Sequence, residues 1–182
     1  MIVALTGTPG TGKTSISKLL IKKGISVIDL NKLTMEKDFI IGNDKIRNSK
    51  IVDIKKLDNY ISKNYIENKL TIIEGHLSHL LNCVDKIILL RCNPKKLKKN
   101  LNKKGWNEVK IKENIEAEIL DIILCEAIDL HSKNDIIEID VTNKTINSAS
   151  NIILEIIENK FKNMKKYKIG KIDWSEAILK GF

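Results

Sequence analysis

The chain has 182 residues, 42% of them hydrophobic but only 4% aromatic, so one ordinary domain with a core built from isoleucine and leucine is expected. Its formal charge of +9 fits either a polyanionic partner such as RNA or simple solubility. No apolar run is long enough to span a bilayer, and Met1–Leu5 leads straight into a loop instead of a secretory leader, so a cytoplasmic protein without a membrane partner is expected.

Met1 to Leu5 reads as a short buried strand, and Lys13 to Lys22 as a helix with Ile16, Leu19 and Leu20 on one side. Between them lies Gly7-Thr8-Pro9-Gly10-Thr11-Gly12-Lys13-Thr14, the spacing of a phosphate-binding loop. The strand–loop–helix context carries the meaning, because a helix N-terminus presents backbone N–H groups as an anion cradle. Glycine at positions 7, 10 and 12 lets the backbone approach phosphates that a Cβ would strike. Lys13 is expected at the β- and γ-phosphates of ATP, Thr14 on Mg²⁺, and Ser15 on the α-phosphate side.

Gly24 ends the helix, and Ile25 to Ile28 forms a second candidate strand before Asp29. Residues 31–50 are mixed and polar around Phe39-Ile40-Ile41, with Gly42 and Asn43 as a turn; Arg47, in this stretch, is a candidate for a second substrate's phosphate. Asp53 is placed to N-cap a helix running to about Tyr65. Leu70 to Ile73 is a third strand, ending in Glu74-Gly75-His76. Glu74 is expected to organise Mg²⁺ through water or to orient a nucleophile, and His76 to position water or bond a phosphate, with a structural hydrogen bond as its alternative. His79 fits a turn or the start of a short helix.

Lys86 to Leu90 is a fourth strand, and Arg91 directly after it is a candidate cation for a transferring phosphoryl group. Pro94 opens a helix carrying Leu97 and Leu101, which Lys103-Lys104-Gly105-Trp106 breaks, either as a very short lid or as solvated surface. A long helix is predicted from about Glu108 to Ile128, a fifth strand over Ile136–Val141, and a last helix over Ile146–Phe161 before a basic tail. Cys83, Cys92 and Cys125 lie beside apolar runs at no metal-ligand spacing, and buried free thiols are expected. Five strands alternating with helices predict an α/β fold: the P-loop NTPase three-layer arrangement, with a five-stranded parallel sheet covered on both faces. Functional residues should gather at the carboxyl edge. Two anion sites and a lid favour a monophosphate kinase. A GTP switch is disfavoured because Asn143-Lys144-Thr145-Ile146 lacks the Asp of the guanine-reading motif.

The chain resembles the archaeal and eukaryotic adenylate-kinase-like family that includes the human coilin-interacting nuclear ATPase. The resemblance runs through the phosphate loop, Val52-Asp53, Glu74-Gly75-His76, Leu90-Arg91, Gly105-Trp106, Lys112-Glu113-Asn114-Ile115-Glu116-Ala117-Glu118-Ile119 and Glu126-Ala127. Gly75-His76-Leu77-Ser78-His79-Leu80 looks like the archaeal branch. The resemblance implies a single domain over residues 1–182, with a monophosphate-binding region at about 31–51, a lid at about 103–113 and a basic tail at 160–182. It implies a broad-specificity nucleoside monophosphate kinase (adenylate kinase) that also hydrolyses ATP. Alternatively, the chain is primarily an assembly ATPase of the small ribosomal subunit. By carry-over, Gly10, Gly12, Lys13, Thr14, Ser15 and Lys104 would bind ATP; Arg47, Asp53 and Arg91 would bind the monophosphate; and Thr14 and Glu74 would hold Mg²⁺. Lys13, Glu74, His76, Arg91 and Lys104 would serve the chemistry. The implied partners are AMP and other monophosphates, the ribosomal protein uS11 transiently, and small-subunit rRNA as a candidate for the tail. Lys104 stands where the family usually has Arg, and Asn100 where it often does; lysine keeps the charge but loses the planar fork.

Overall fold

Val3 and Leu5 point to one side of the first strand, Ile2 and Ala4 to the other, and all four are buried. A strand that is apolar on both faces needs a covering layer on each. The structure is a computed structural model, and it describes residues 1–44, 49–65, 70–162 and 164–179. Its strands are β1 (Ile2–Gly7), β2 (Ser26–Asp29), β3 (Ile40–Asp44), β4 (Ser49–Val52), β5 (Thr71–Glu74), β6 (Lys86–Arg91) and β7 (Ile136–Asp140). Its helices are α1 (Lys13–Lys22), α2 (Leu30–Glu36), α3 (Ile54–Asn64), α4 (Pro94–Asn102), α5 (Glu108–Ile119), α6 (Ile122–Leu130), α7 (Ile146–Glu158) and α8 (Glu176–Leu179).

Five strands form one parallel sheet in the order β2-β5-β1-β6-β7. The register sets Leu5 beside Glu74, Glu74 beside Asp29 and Gly7 beside Leu90, so the phosphate loop and the ends of β5 and β6 share one carboxyl edge. On one face Leu5, Ile72 and Ile88 pack with Ile16 and Leu20 of α1 and Ile153 of α7. On the other, Ile73 and Ile87 pack with Leu33 of α2, Leu57 and Ile61 of α3 and Leu124 of α6. A smaller cluster joins Leu97 and Leu101 of α4 to Ile111 and Ile115 of α5. The expected three-layer α/β arrangement is present.

Two local expectations are corrected. The mixed, polar stretch after Asp29 opens with a helix: Asp29 accepts a hydrogen bond from the Lys32 N–H and caps α2, which buries Leu30 and Leu33. Gly42 and Asn43 are not a turn, since both lie within β3, antiparallel to β4. The single long helix after Trp106 is two helices. Asp121 adopts a left-handed conformation (φ 54°), and Arg91 Nη2 bonds the Glu118 carbonyl at 3.0 Å. An unbroken helix would give that carbonyl to the Ile122 N–H, so the arginine ends α5 by taking its acceptor.

The segment after α7 is tied back to the sheet: Lys168 bridges Ile137, and the Gly170 N–H donates to Glu138 Oε2 at 2.7 Å. The side chains of Lys160, Lys162, Lys165, Lys166, Lys168 and Lys171 remain exposed. Cys92 is buried and Cys83 half-buried, but Cys125 is exposed, against the expectation of three buried thiols. Burial pushes the Cys83 and Cys92 thiols up to about 12, which leaves both unreactive near neutrality. Among the described residues no helix is long and apolar enough to cross a membrane.

Candidate active site

The phosphate loop turns on three glycines in positive φ: Gly7, Gly10 and Gly12. At Gly7 (φ 140°) a Cβ would sit 2.5 Å from the Leu90 carbonyl oxygen, so only glycine lets β1 run this close to β6 as the loop begins. Gly12 then delivers the chain into α1 without a side-chain cap, leaving the first N–H groups of the helix for a ligand.

Lys13 is buried and folds back along the loop, donating to the Gly7 carbonyl at 2.6 Å and the Thr8 carbonyl at 3.2 Å. Burial lowers its pKa to about 8, although the Glu74 carboxylate pulls the other way. Thr14 Oγ1 donates to Glu74 Oε1 at 3.3 Å. Burial raises the Glu74 pKa, opposed by the Lys13 charge and reinforced by Asp29. A hydroxyl beside a carboxylate, at the foot of an anion cradle, is a hard-oxygen pair of the kind Mg²⁺ takes when water and phosphate oxygens complete its shell. Among the described residues no group of three or more His, Cys, Asp and Glu could hold a metal by itself.

These residues open onto one cleft of about 880 Å³. Gly10, Gly12, Lys13, Thr14 and Ser15 form one end, joined by Glu74 and His76. Lys103, Lys104, Trp106 and Lys110 overhang it. The Trp106 ring carries the Lys110 ammonium 4.5 Å from its centroid and that of Lys104 at 5.8 Å, so the aromatic face gathers the cations of the break. Met35, Ile40, Val52, Leu77 and Ile123 also line it, interspersed with polar side chains that include Asn31, Thr34, Ser49, Lys50 and Glu126. His76 is partly buried, and desolvation followed by the Lys13 charge lowers its pKa to about 4, so it is neutral at physiological pH rather than titrating there.

Two expected site residues lie elsewhere. Arg91 does not face the cleft. It is 2% exposed, donates from Nε to Glu118 at 2.9 Å and from Nη1 to Glu138 at 2.6 Å, and also pairs with Asp121. Burial alone would lower its pKa, but the carboxylates, Glu118 foremost, outweigh that and hold it above its ordinary value. These carboxylates and the Glu118 carbonyl take four of its five N–H donors, and it does not line the cleft. Asp53 caps α3 by accepting from the Lys56 N–H at 2.9 Å and does not line the cleft. Arg47 lies outside the described residues.

Other residues gain contacts that the sequence did not assign, although His79 does lie in the short helical turn expected of it. Asn100 Nδ2 donates to the Gly10 carbonyl at 3.0 Å, bracing the loop from α4. His79 is buried in a 3-10 turn (Ser78–Leu80), with Nδ1 3.1 Å from Thr6 Oγ1 and Nε2 2.9 Å from Glu126 Oε2. Glu118 is buried between Arg91 and Thr8. Its signal was readable: a carboxylate on the apolar stripe of Ile111, Ile115 and Ile119 requires a buried counter-charge, and Arg91 is one of only two arginines in the chain.

A parallel sheet of order β2-β5-β1-β6-β7, with a phosphate loop after its first strand, a carboxylate at the end of β5 and a cationic segment lining the same cleft, defines a P-loop nucleotide-binding protein of kinase layout. The AAA domain family model matches residues 3–121. Shikimate kinase from Acinetobacter baumannii superposes with a TM-score of 0.61 at 12% identity, over 89% of this chain and 95% of that one. Shikimate kinase from Bacteroides thetaiotaomicron gives 0.54 at 18% identity, over 87% and 98%; both likenesses speak for the fold alone. Archaeal proteins named "Putative adenylate kinase" are far closer in sequence. That of Methanocaldococcus jannaschii is 42% identical across 97% of this chain and 94% of its own length. Those of Thermococcus gammatolerans and Pyrococcus abyssi are 38% and 39% identical across 97% of this chain, with 94% and 93% of their own lengths covered. The chain belongs to this archaeal adenylate-kinase-like family and is an enzyme of kinase or ATPase chemistry.

Proposed function

We propose that this protein is a broad-specificity nucleoside monophosphate kinase of the cytoplasm that transfers the γ-phosphoryl group of ATP to AMP and other monophosphates and also hydrolyses ATP. The observation that carries this reading is that one cleft is lined together by the phosphate loop, by Glu74 and His76, by Lys103, Lys104 and Lys110, and by apolar side chains able to pack on a nucleoside.

ATP would lie along the loop N–H groups, with Lys13 turning from the Gly7 and Thr8 carbonyls to the β- and γ-phosphates. Thr14 and Glu74 would hold Mg²⁺, Glu74 through water, and the ion would neutralise charge on the bridged phosphates. Neutral His76 would orient a water or the attacking oxygen by hydrogen bonding, without carrying the proton as an imidazolium. Lys104 and its neighbours would meet the charge on the equatorial oxygens as the break closes over the cleft. The region of about 31–51, from which Asn31, Thr34 and Ile40 line the cleft, would receive the acceptor together with Val52, Leu77 and Ile123. The deciding assay is ADP production with and without AMP, CMP or dAMP, beside a Lys13→Ala control. Rates that do not depend on acceptor would rule out the kinase.

A second reading is favoured by the exposed lysines of the tail. In it the nucleotide cycle serves 16S rRNA processing and small-subunit maturation, with transient binding to uS11 and contact with rRNA. Absence of association with either partner at low salt would remove that role.

A further inference from the structure

Glu118 stands at a core position of α5 yet carries a charge, and it is 2% exposed. A buried carboxylate is costly unless fully paired. One oxygen, Oε1, accepts from Arg91 Nε at 2.9 Å and from the Cys92 N–H at 3.0 Å. The other, Oε2, is bonded to the phosphate loop: Thr8 Oγ1 donates to it at 2.5 Å. Thr8 is itself buried, and its carbonyl accepts from Thr11 Oγ1 at 2.9 Å and from Lys13 Nζ at 3.2 Å. The residue whose carbonyl organises the loop is therefore held from behind by the helix that follows the lid. An ion pair serving only to pack α5 on β6 would need no contact with the loop.

We propose that Glu118 is a positioning residue for the donor site. Through Thr8 it fixes the phosphate loop in its anion-accepting shape, and it ties α5, whose Lys110, Glu113 and Asn114 line the cleft, to that loop. The inference rests on the reading of the loop as an ATP site. A loop released from this bond samples other shapes, and affinity falls by the fraction that remains competent.

Thr8→Val removes the hydroxyl, keeps the side-chain shape and leaves the Arg91–Glu118 pair intact; Thr8→Ser keeps the hydroxyl. Mg²⁺-ATP binding is measured by calorimetry at a temperature where circular dichroism finds each variant folded, together with KM for ATP and for AMP. Thr8→Val should weaken ATP about tenfold or more, the cost of losing a hydrogen bond to a carboxylate. KM for AMP should change by less than about twofold, and Thr8→Ser should stay within about threefold of wild type for ATP. Should Thr8→Val fail to fold, Glu118→Asp keeps the charge for Arg91 but draws the carboxylate back from Thr8, with the same ATP-selective loss expected. Wild-type ATP binding in Thr8→Val, or equal weakening of ATP and AMP, overturns the inference. A wild-type protein that does not bind ATP would instead overturn the donor-site reading, and this inference with it.

Discussion

Burial sets the ionisation of Lys13 and His76, which both line the cleft, and each shift has a measurable consequence. Lys13 is lowered to about 8, chiefly by desolvation, so it is mostly protonated at pH 7 and loses its charge as pH rises through 8. ATP binding requires the ammonium, so affinity should fall above pH 8. In that range binding should take up protons, read as a dependence of calorimetric heat on the buffer's ionisation enthalpy. Flat affinity from pH 7 to 9 would contradict the lysine's exposure to the phosphates. His76 moves from 6.5 to about 4 because burial and the Lys13 charge both oppose the imidazolium. The unfolded chain then binds more protons than the folded one between those values, so stability should decline as pH falls from 6.5 towards 4, and His76→Gln should flatten that decline in urea melts. The kinase pH profile should carry no limb from His76 near its ordinary value. Neither shift was legible in the sequence, because both depend first on how deeply the fold buries each side chain and then on the charges it brings beside it.

The proposed lid lies at a break between α4 and α5, and its chemistry is separable from its structure. Lys104 overhangs the cleft, close to the Trp106 ring, at the junction of α4 and Gly105 (φ 70°). An ammonium meets a phosphate as a point charge, whereas guanidinium meets two oxygens at once. Lys104→Arg should therefore raise kcat about two- to fivefold, equivalent to about 0.5–1 kcal/mol of transition-state stabilisation, in steady-state assays. An unchanged kcat would assign Lys104 to the surface. The sequence showed this break clearly, since glycine after two lysines interrupts an amphipathic repeat. It hid the second break at Asp121, because Ile111, Ile115, Ile119 and Ile122 keep an unbroken helical spacing. What interrupts that helix is a long-range event: Arg91, from β6, bonds the Glu118 carbonyl. The same buried pairing explains why an arginine at the functional edge serves packing and not the substrate.

At the scale of the molecule, the parallel sheet and its functional edge could be read from five apolar runs alternating with helices, because a strand covered on both faces has no polar alternation to confuse it. The docking of the tail could not, since it rests on long-range contacts: a backbone bridge at Lys168, a bond from Gly170 to the buried Glu138, and the packing of Met164, Tyr167 and Ile169 on the core. That docking turns a run of basic residues into a fixed surface, and it sharpens the question raised by a charge of +9. If the surface binds small-subunit rRNA, each phosphate it neutralises contributes about −0.7 to the slope of log K against log salt for a single strand. A tail engaging four phosphates would give a slope of about −3. Lys165 and Lys166 are exposed, so replacing both with alanine should leave the unfolding free energy from urea melts within about 0.5 kcal/mol of wild type. The same double substitution should make the salt slope shallower by about 1.4 and weaken binding to all RNA sequences alike. Fluorescence anisotropy over a salt series measures both quantities. A slope unchanged by the substitution would mean that these lysines only solvate the protein, and the excess charge would then be explained by solubility.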